Sequence, residues 1–439
     1  MSYETAVAAM YTLGHELAHM PSHKFDLAHM RVLLAALDDP ETHFPSVLIA
    51  GTNGKGSTAA TLASILQASG LRTGLYTSPH LIRINERIRI SGRQISDDDF
   101  ALFHDLVDRT AQRLVEEGEL PSHPSFFEML TAMAFEYFAQ NKVDIAVLEV
   151  GMGGRLDATN VVEPRVSVIT DISLDHQKFL GNTVAEIARE KAGIIRPGGV
   201  VVTLPQMPET NDVIGNTILD LNARAVNAVP YVPPVSPAAT LSSSYPLQVG
   251  SEEILVESPL QGRHQLRNVA LAIATAEELA QQGFPISAKT IEVGIRQTRW
   301  PGRFQVLPAN PLHPEHVFDV AHNPAGAWAL RSALSSHYEG RPLTFVFGAM
   351  SDKAISEMAE ILFPLADRVI VTHADNPRSA TGEEIKEAAI RTSAQIETAP
   401  NVSAALRQAA ALAGSQGVVV VTGSIYIVGE AMQLLDVRV

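Results

Sequence analysis

The chain has 439 residues, 46% of them hydrophobic and 18% charged, with a net charge of −15 and no cysteine. That length suits two to three domains with real cores, and that hydrophobic content excludes an intrinsically disordered chain. The acidic balance excludes bulk electrostatic binding to nucleic acid or anionic lipid, and the missing cysteines exclude disulfides, thiolate nucleophiles and thiolate zinc sites.

The N-terminus, MSYETAVAAMYTLGHELAHM, carries acids and histidines and no basic leader, so no secretory signal is expected. No apolar run approaches the ~18–20 residues of a membrane span. The expectation is a cytoplasmic monomer whose partners are small molecules, with no nucleic acid and no membrane. His15-Glu16-Leu17-Ala18-His19 matches HExxH, in which a helix aligns two imidazoles for zinc. Pro21 soon ends such a helix, and His23 and His29 do not fit the extended spacing. A surface histidine pair is the simpler reading.

Ser46–Ala50 (SVLIA) reads as a buried strand and Ser57–Ser69 as a helix. Between them lies Gly51-Thr52-Asn53-Gly54-Lys55-Gly56-Ser57-Thr58. A glycine-rich turn from a strand into a helix is the setting of a phosphate loop, whose backbone amides cradle phosphate oxygens. Lys55 would reach the β/γ-phosphates, and Ser57 or Thr58 would offer Mg²⁺ a hydroxyl. The strict pattern is not kept: Ile49 stands where the first glycine belongs, and Gly56 separates the lysine from the hydroxyl.

Asp97-Asp98-Asp99 reads as the acidic first turn of a helix. Phe126–Phe138 is apolar nearly all round, which predicts a deeply buried helix. Asn141-Lys142-Val143-Asp144 spells the guanine-reading NKxD but precedes a strand, so it reads as a helix-to-strand turn. Asp144–Val150, Val166–Thr170 and Gly199–Thr203 read as strands. Gly151-Met152-Gly153-Gly154 lacks the third glycine of a dinucleotide loop.

Strands separated by helices imply a mostly parallel sheet. Glu149, Asp171 and Asp175-His176 then fall on the same carboxyl edge as the phosphate loop, where ligands bind. Glu149, His176 and a loop hydroxyl make a reasonable Mg²⁺ environment, although imidazole is a less usual ligand for it. A capping carboxylate and an ordinary loop histidine are the alternatives.

A Pro/Ser/Ala-rich irregular insert follows at about 228–260, and helical pattern returns at Gln265–Gln282. Pro301-Gly302 breaks the chain within Arg299–Phe304, which places a domain boundary there: 1–298 and 299–439. A second alternating series then has strands at His316–Val320, Leu343–Phe347, Arg368–Thr372 and Gly417–Thr422. The fold class expected is α/β. An N-terminal P-loop mononucleotide-binding domain with a mostly parallel sheet is joined to a smaller C-terminal Rossmann-like domain.

The variant loop GTNGKGS resembles that of the ATP-dependent Mur ligase superfamily, and within it the folylpolyglutamate synthase/dihydrofolate synthase family. Further segments match that family in order. They are Ser78-Pro79-His80-Leu81 with Glu86-Arg87-Ile88, Phe127-Glu128 with Thr131, and Glu149–Asn160 (EVGMGGRLDATN). Asp175-His176, Glu190-Lys191-Ala192-Gly193, and Gly262-Arg263-His264-Gln265 with Asn268 follow. Trp300-Pro301-Gly302-Arg303, Asp319 with Ala321-His322-Asn323-Pro324, Gly348 with Asp352-Lys353, and Gly423-Ser424-Ile425-Tyr426 complete the set. The resemblance spans about residue 25 to 430.

It implies amide ligation: ATP phosphorylates a substrate carboxylate, and the amino group of L-glutamate attacks the acyl phosphate. The acceptor would be dihydropteroate, giving dihydrofolate, and/or a reduced folate whose γ-glutamyl tail is extended. The resemblance places ATP at Gly51, Thr52, Asn53, Gly54, Lys55, Gly56, Ser57, Thr58, Asn268, Arg303 and Asp319. It places two Mg²⁺ ions at Ser57, Ser78, Glu149, His176 and Lys191, with Lys191 carbamylated. Catalytic roles go to Lys55, His176, Lys191, Arg303 and His322. Folate contacts go to Ser125, Phe126, Phe127, Glu128, Leu156, Asp157 and Ala158, and glutamate contacts to His322 and Ser424. At least one of the two phenylalanines also reads as helix core, Arg303 as a hinge ion pair, and Ser424 as a strand-end turn hydroxyl.

Two rivals remain. Cell-wall Mur ligases generally carry an extra domain before the P-loop, for which the roughly fifty residues before Gly51 leave little room. A non-catalytic nucleotide switch would bind nucleotide without glutamate-dependent ADP release. His23–Ala28 lacks the glycine the family usually has near Asp26 or Ala28, in a loop near the pterin, which leaves the choice of pterin open.

Overall fold

The computed structural model describes residues 1–14, 27–234 and 244–437. The HELAH segment at 15–19 and most of 23–28 lie outside the described residues. The first sheet has eight strands: β1 (Ser46–Ala50), β2 (Thr73–Tyr76), β3 (Ile88–Ile90), β4 (Arg93–Gln94), β5 (Ile145–Glu149), β6 (Val166–Ile169), β7 (Val200–Thr203) and β8 (Arg224–Asn227). Their order is β4-β3-β2-β5-β1-β6-β7-β8.

From β2 to β8 every neighbouring pair is parallel, and only the β2–β3 and β3–β4 pairs at one edge are antiparallel. Every residue of β1 and β5 is buried. This is why these strands read as unbroken apolar runs rather than alternating ones: helices cover both faces of a parallel sheet. One face packs against the helix Phe126–Gln140 and the other against the helices Lys55–Ala68 and Arg263–Gln281.

A hairpin, β9 (Ser244–Val249) with β10 (Glu252–Glu257), occupies part of the irregular insert. After the helix Ala288–Gln297 the chain enters a second, six-stranded sheet. Its strands are β11 (Gln305–Leu307), β12 (Glu315–Phe318), β13 (Leu343–Phe347), β14 (Arg368–Val371), β15 (Ile396–Thr398) and β16 (Val418–Thr422). The order is β11-β12-β16-β13-β14-β15, parallel except for the β11–β12 pair.

The strands and helices read from sequence pattern are present with ends shifted by no more than two residues, as in the helix read as starting at Ser57, which begins at Lys55. Pattern reading passed over β2, β3, β4, β8, β11 and β15. Most of these are edge strands of two to four residues carrying polar side chains, too short for a period-two signal. NKxD is a helix-to-strand turn: Asn141 caps the helix Phe126–Gln140, and Asp144 accepts the Arg72 amide at 2.7 Å. Among the described residues no helix is long and apolar enough to cross a membrane.

Candidate active site

The carboxyl ends of the central strands of both sheets face one cavity of about 450 Å³. Gly51 to Ser57 form part of its wall. The loop that opens it needs its glycines. Gly54 caps the helix Lys55–Ala68 at φ 88°, and a Cβ there would lie 2.2 Å from Asn268 Oδ1. A Cβ on Gly51 would meet Thr170 Oγ1 at 1.8 Å. No side chain caps this helix, so its first amides stay available for an anion.

The loop is held from behind, where the Thr52 and Asn53 amides donate to the Asp171 carbonyl at 2.9 and 3.1 Å. Asp171 in turn takes a bidentate pair from Arg267. Lys55 Nζ donates to the Thr52 carbonyl at 3.3 Å. Ser57 lies on the cavity wall, whereas Thr58 is fully buried with its hydroxyl unpartnered.

Glu149 ends β5 beside the loop and accepts the Ser78 amide at 3.1 Å. The signature that follows it is a packing device. The Gly154 position lies 2.7 Å from the Glu190 carbonyl and 3.0 Å from Lys191 Cα when a Cβ is placed on it. Arg155 N donates to that same carbonyl at 2.7 Å, and Asn160 Nδ2 to Gly193 O at 3.1 Å. These contacts seat the helix Val184–Ala192 so that Lys191 points under the phosphate loop, with Nζ donating to Gly51 O at 2.8 Å. Burial, reinforced by the nearby Lys55 charge, pushes the Lys191 ammonium down to about 7.

His176 stands at φ 51° with Nδ1 buried and unpartnered, and burial lowers its imidazole to about 4. Among the described residues no group of three or more His, Asp or Glu is arranged to hold a metal ion. The donors that do line the cavity (one carboxylate, one orphaned imidazole nitrogen, the Ser57 and Ser78 hydroxyls) fit a Mg²⁺ that keeps water and takes its remaining oxygens from phosphate.

Arg303 Nη1 donates to the Pro301 carbonyl at 3.3 Å, and its guanidinium sits 5.8 Å from the Trp300 ring centre. Burial disfavours its charge, and Asp319 and Glu149 support it. Asp319 accepts the Phe304 and Ala321 amides, both at 2.9 Å, so it shapes the crossing loop and still has lone pairs toward the cavity. Asn268, beside Gly54, takes its orientation from Gln265 at 2.9 Å.

The two sheets meet through Asp175. Lys353 Nζ lies 2.6 Å from Asp175 Oδ1, Asn323 Nδ2 donates to Oδ2 at 3.1 Å, and His322 Nε2 stands 3.6 Å away. Burial alone would raise this carboxyl, but the His322 contact and the His176, His322 and Lys353 charges hold it well below the carboxylate range. Asn323 also bonds Asn53 of the phosphate loop at 3.0 Å. His322 Nδ1 donates to Val320 O at 2.9 Å, which turns Nε2 toward Asp175.

Of the proposed folate residues, Phe127 and Asp157 line the cavity. Phe126 is buried, stacked on Tyr11 at 5.9 Å. Ser125 and Glu128 form a capping box on the helix Phe126–Gln140, a function the S-x-x-E spacing itself signals. Asp157 accepts the Met152 and Thr159 amides, both at 3.0 Å, and burial raises its carboxyl. Leu156 is half-buried beside it, and Ala158 is buried in a short turn. Ser424 lines the cavity but also caps the helix Ile425–Leu434, accepting Tyr426 N at 3.2 Å. Lys353 and Asn323 lay inside the motifs read from sequence, yet only the fold puts them against Asp175 and Asn53.

A phosphate loop and a second α/β sheet closing over it are the architecture of a Mur ligase. The Mur ligase middle domain matches residues 49–276, and the Mur ligase glutamate ligase domain matches residues 302–425. The chain therefore belongs to the Mur ligases, a class of ATP-dependent acid–amino-acid ligases.

Within that class it belongs to the folylpolyglutamate synthase/dihydrofolate synthase family. It is 34% identical to the Bacillus subtilis dihydrofolate synthase/folylpolyglutamate synthase over 93% of this chain and 94% of that one. It is 35% identical to the Lacticaseibacillus casei folylpolyglutamate synthase over 99% of both. The Mycobacterium tuberculosis folylpolyglutamate synthase complexed with ADP superposes with a TM-score of 0.85 at 32% identity, covering 99% of both chains. E. coli FolC in complex with DHPP and ADP superposes at 0.80 and 29% identity, over all of this chain and 98% of that one.

Proposed function

We propose that the protein joins L-glutamate to a folate-type carboxylate at the expense of ATP, making dihydrofolate from dihydropteroate and also extending the γ-glutamyl tail of reduced folates. The observation that carries this reading is the single cavity in which a phosphate loop, Glu149, Lys191 and the His322–Asp175 pair converge. We read 1–298 and 299–439 as the two domains, with Arg299–Arg303 as the crossing between them.

The uncapped amides of Gly54–Ser57 and the Lys55 ammonium hold the ATP phosphates. Asn268 and Asp319 support the nucleoside. The acceptor's carboxylate oxygen attacks the γ-phosphorus, the bond to the bridging oxygen breaks, and ADP leaves with an acyl phosphate formed. Lys55 and Arg303 stabilise the charge on the transferring group. Mg²⁺, held by Ser57, Ser78, Glu149 and His176, would supply further charge neutralisation there. The glutamate amine then adds to the acyl carbon. His322 Nε2 takes the proton, and the adjacent Asp175 carboxylate steadies the resulting imidazolium. Phosphate departs and leaves the amide.

Lys191 is the candidate for carbamylation. An amine lowered to about 7 is substantially neutral at physiological pH, and only the neutral amine adds CO₂. The product carbamate is an anionic oxygen donor beside the phosphate loop. Phe127 is the wall for the pterin, and Asp157 fixes the loop that carries it.

Incubation with ATP, Mg²⁺ and L-glutamate, followed by mass spectrometry, tests the acceptor. The expected products are dihydrofolate from dihydropteroate and a tetrahydrofolate one glutamyl residue longer. A product from one pterin only removes bifunctionality, and none from either removes the reading.

A further inference from the structure

The phosphate loop departs from the strict pattern at Gly56, and the structure gives that glycine a partner. A Cβ on Gly56 would lie 2.8 Å from Trp300 Cζ2 and 3.1 Å from its Nε1. The indole therefore occupies the space that a side chain would fill on the first turn of the helix Lys55–Ala68. Trp300 belongs to the crossing between the sheets, and the residues after it are tied to the end of β12. Val320 N donates to Gly302 O at 3.0 Å, and Phe304 N to Asp319 Oδ2 at 2.9 Å. Trp300 Nε1 is buried without a hydrogen-bond partner, so the residue is held by its ring surface and not by its N–H.

Arg303, three residues on, carries charge to the phosphate loop, and what aims it is unusual. Arg267 and Arg83 are each fixed by a carboxylate fork, from Asp171 and Asp97. The Arg303 guanidinium, among the described residues, donates to the Pro301 and Gly302 carbonyls at 3.3 and 3.5 Å, bonds too long to orient it firmly. Asp319 and Glu149 support its charge from further away. Its remaining fixed neighbour is the Trp300 ring, whose centre lies 5.8 Å from the guanidinium carbon. A cation within about 6 Å of an aromatic face is attracted to it, and indole is the strongest such partner. Arg89 stands at the same 5.8 Å from that ring and donates Nε to the Glu86 carbonyl at 3.0 Å, which ties the indole to the edge of the first sheet.

We infer that Trp300 is a positioning residue for phosphoryl transfer: its indole, seated on Gly56, aims the Arg303 guanidinium at the transferring group. A carboxylate in that place would take up the fork of N–H donors and offset the charge. A ring face orients the guanidinium and leaves both the charge and the donors for phosphate oxygens. Gly56 and Trp300 then form one device, since a larger residue at position 56 would displace the ring and Arg303 with it. The glycine that sets this loop apart from the strict pattern is the mark of that device in the sequence.

The inference rests on the proposed ligase reaction, and a double-mutant cycle on ADP formation from labelled ATP tests it. Trp300→Leu lowers kcat about 5- to 30-fold, the span of a desolvated cation–π contact. Its Kd for ADP, by calorimetry, stays within about threefold of wild type, which also shows that the variant is folded. In the Arg303→Met background the same substitution changes kcat by less than about twofold, because no guanidinium remains to be aimed; a merely structural role would cost the same in both backgrounds. Trp300→Phe, which keeps a weaker ring, gives a smaller fall, and it repeats the cycle should Trp300→Leu fail to bind ADP. An unchanged kcat in Trp300→Leu overturns the inference, and so does an equal fall in both backgrounds. A wild-type enzyme with no glutamate-dependent turnover overturns the ligase reading, and this inference with it.

Discussion

Lys191 illustrates how a single side chain acquires its chemistry from its setting. A lysine following a glutamate in a helix reads equally well as a surface ion pair. Here Glu190 does make a surface pair, with Arg155 at 2.9 Å, while Lys191 turns inward and loses its water. Removing dissolved CO₂ should therefore lower activity severalfold, with recovery on adding bicarbonate. As pH falls through about 7 the amine protonates and the carbamate reverts to CO₂, so the acid limb of the rate profile should fall there. Lys191→Ala should abolish both responses and cut kcat by about 100-fold or more, as loss of a preorganised charge does. A Lys191→Ala enzyme with the wild-type acid limb would rule out this role. Lys55 and Glu149 could be picked out from the sequence pattern, because one opens a helix after a strand and the other ends a strand, whereas Arg303 was assigned through the resemblance alone. The engagement of Asp175 with Lys353 was not legible, since nothing in either segment says which loop it will meet 178 residues away.

Among the elements, the turn from β1 into the helix Lys55–Ala68 determines whether nucleotide binds. Gly54→Ala forces a Cβ into the left-handed region at φ 88° and onto Asn268 Oδ1. Calorimetric titration with ADP should show affinity falling by at least about tenfold, and wild-type affinity would mean the loop adjusts without cost. The buried strands around it were readable because parallel sheets covered on both faces leave unbroken apolar runs. The antiparallel edge β3–β4 was not, being three and two residues long with arginine and glutamine among them. The helix Phe126–Gln140 was foreseen as buried, but which phenylalanine faces the cavity depends on its rotation. The structure gives Phe127 to the cavity and Phe126 to the core.

At the scale of the molecule, the polar links described between the two sheets centre on Asp175. Asp175→Asn would leave the Lys353 ammonium, only 10% exposed, without its counter-ion. Breaking such a pair costs about 3–5 kcal/mol when fully buried, and denaturant unfolding should report a loss of a few kcal/mol together with a lower kcat. Buried imidazoles act in the same direction. His264 and His316 are both pushed to about 4 by burial, below their usual 6.5. The unfolded chain binds these protons first as pH falls, so stability is full above about 6.5 and is lost progressively toward 4. The melting temperature should drop across that window, and His316→Asn should make the slope shallower; an unaltered slope would remove His316 from the account. A net charge of −15 disfavours bulk electrostatic binding of nucleic acid but not acidic substrates, because a few placed cations and amides would bind these locally.

The most direct test is ADP release by the purified protein with ATP, Mg²⁺, L-glutamate and either dihydropteroate or tetrahydrofolate, each component omitted in turn. ADP should form only when nucleotide, amino acid and pterin are all present; no ADP with either pterin, or the same rate without glutamate, would contradict the assignment.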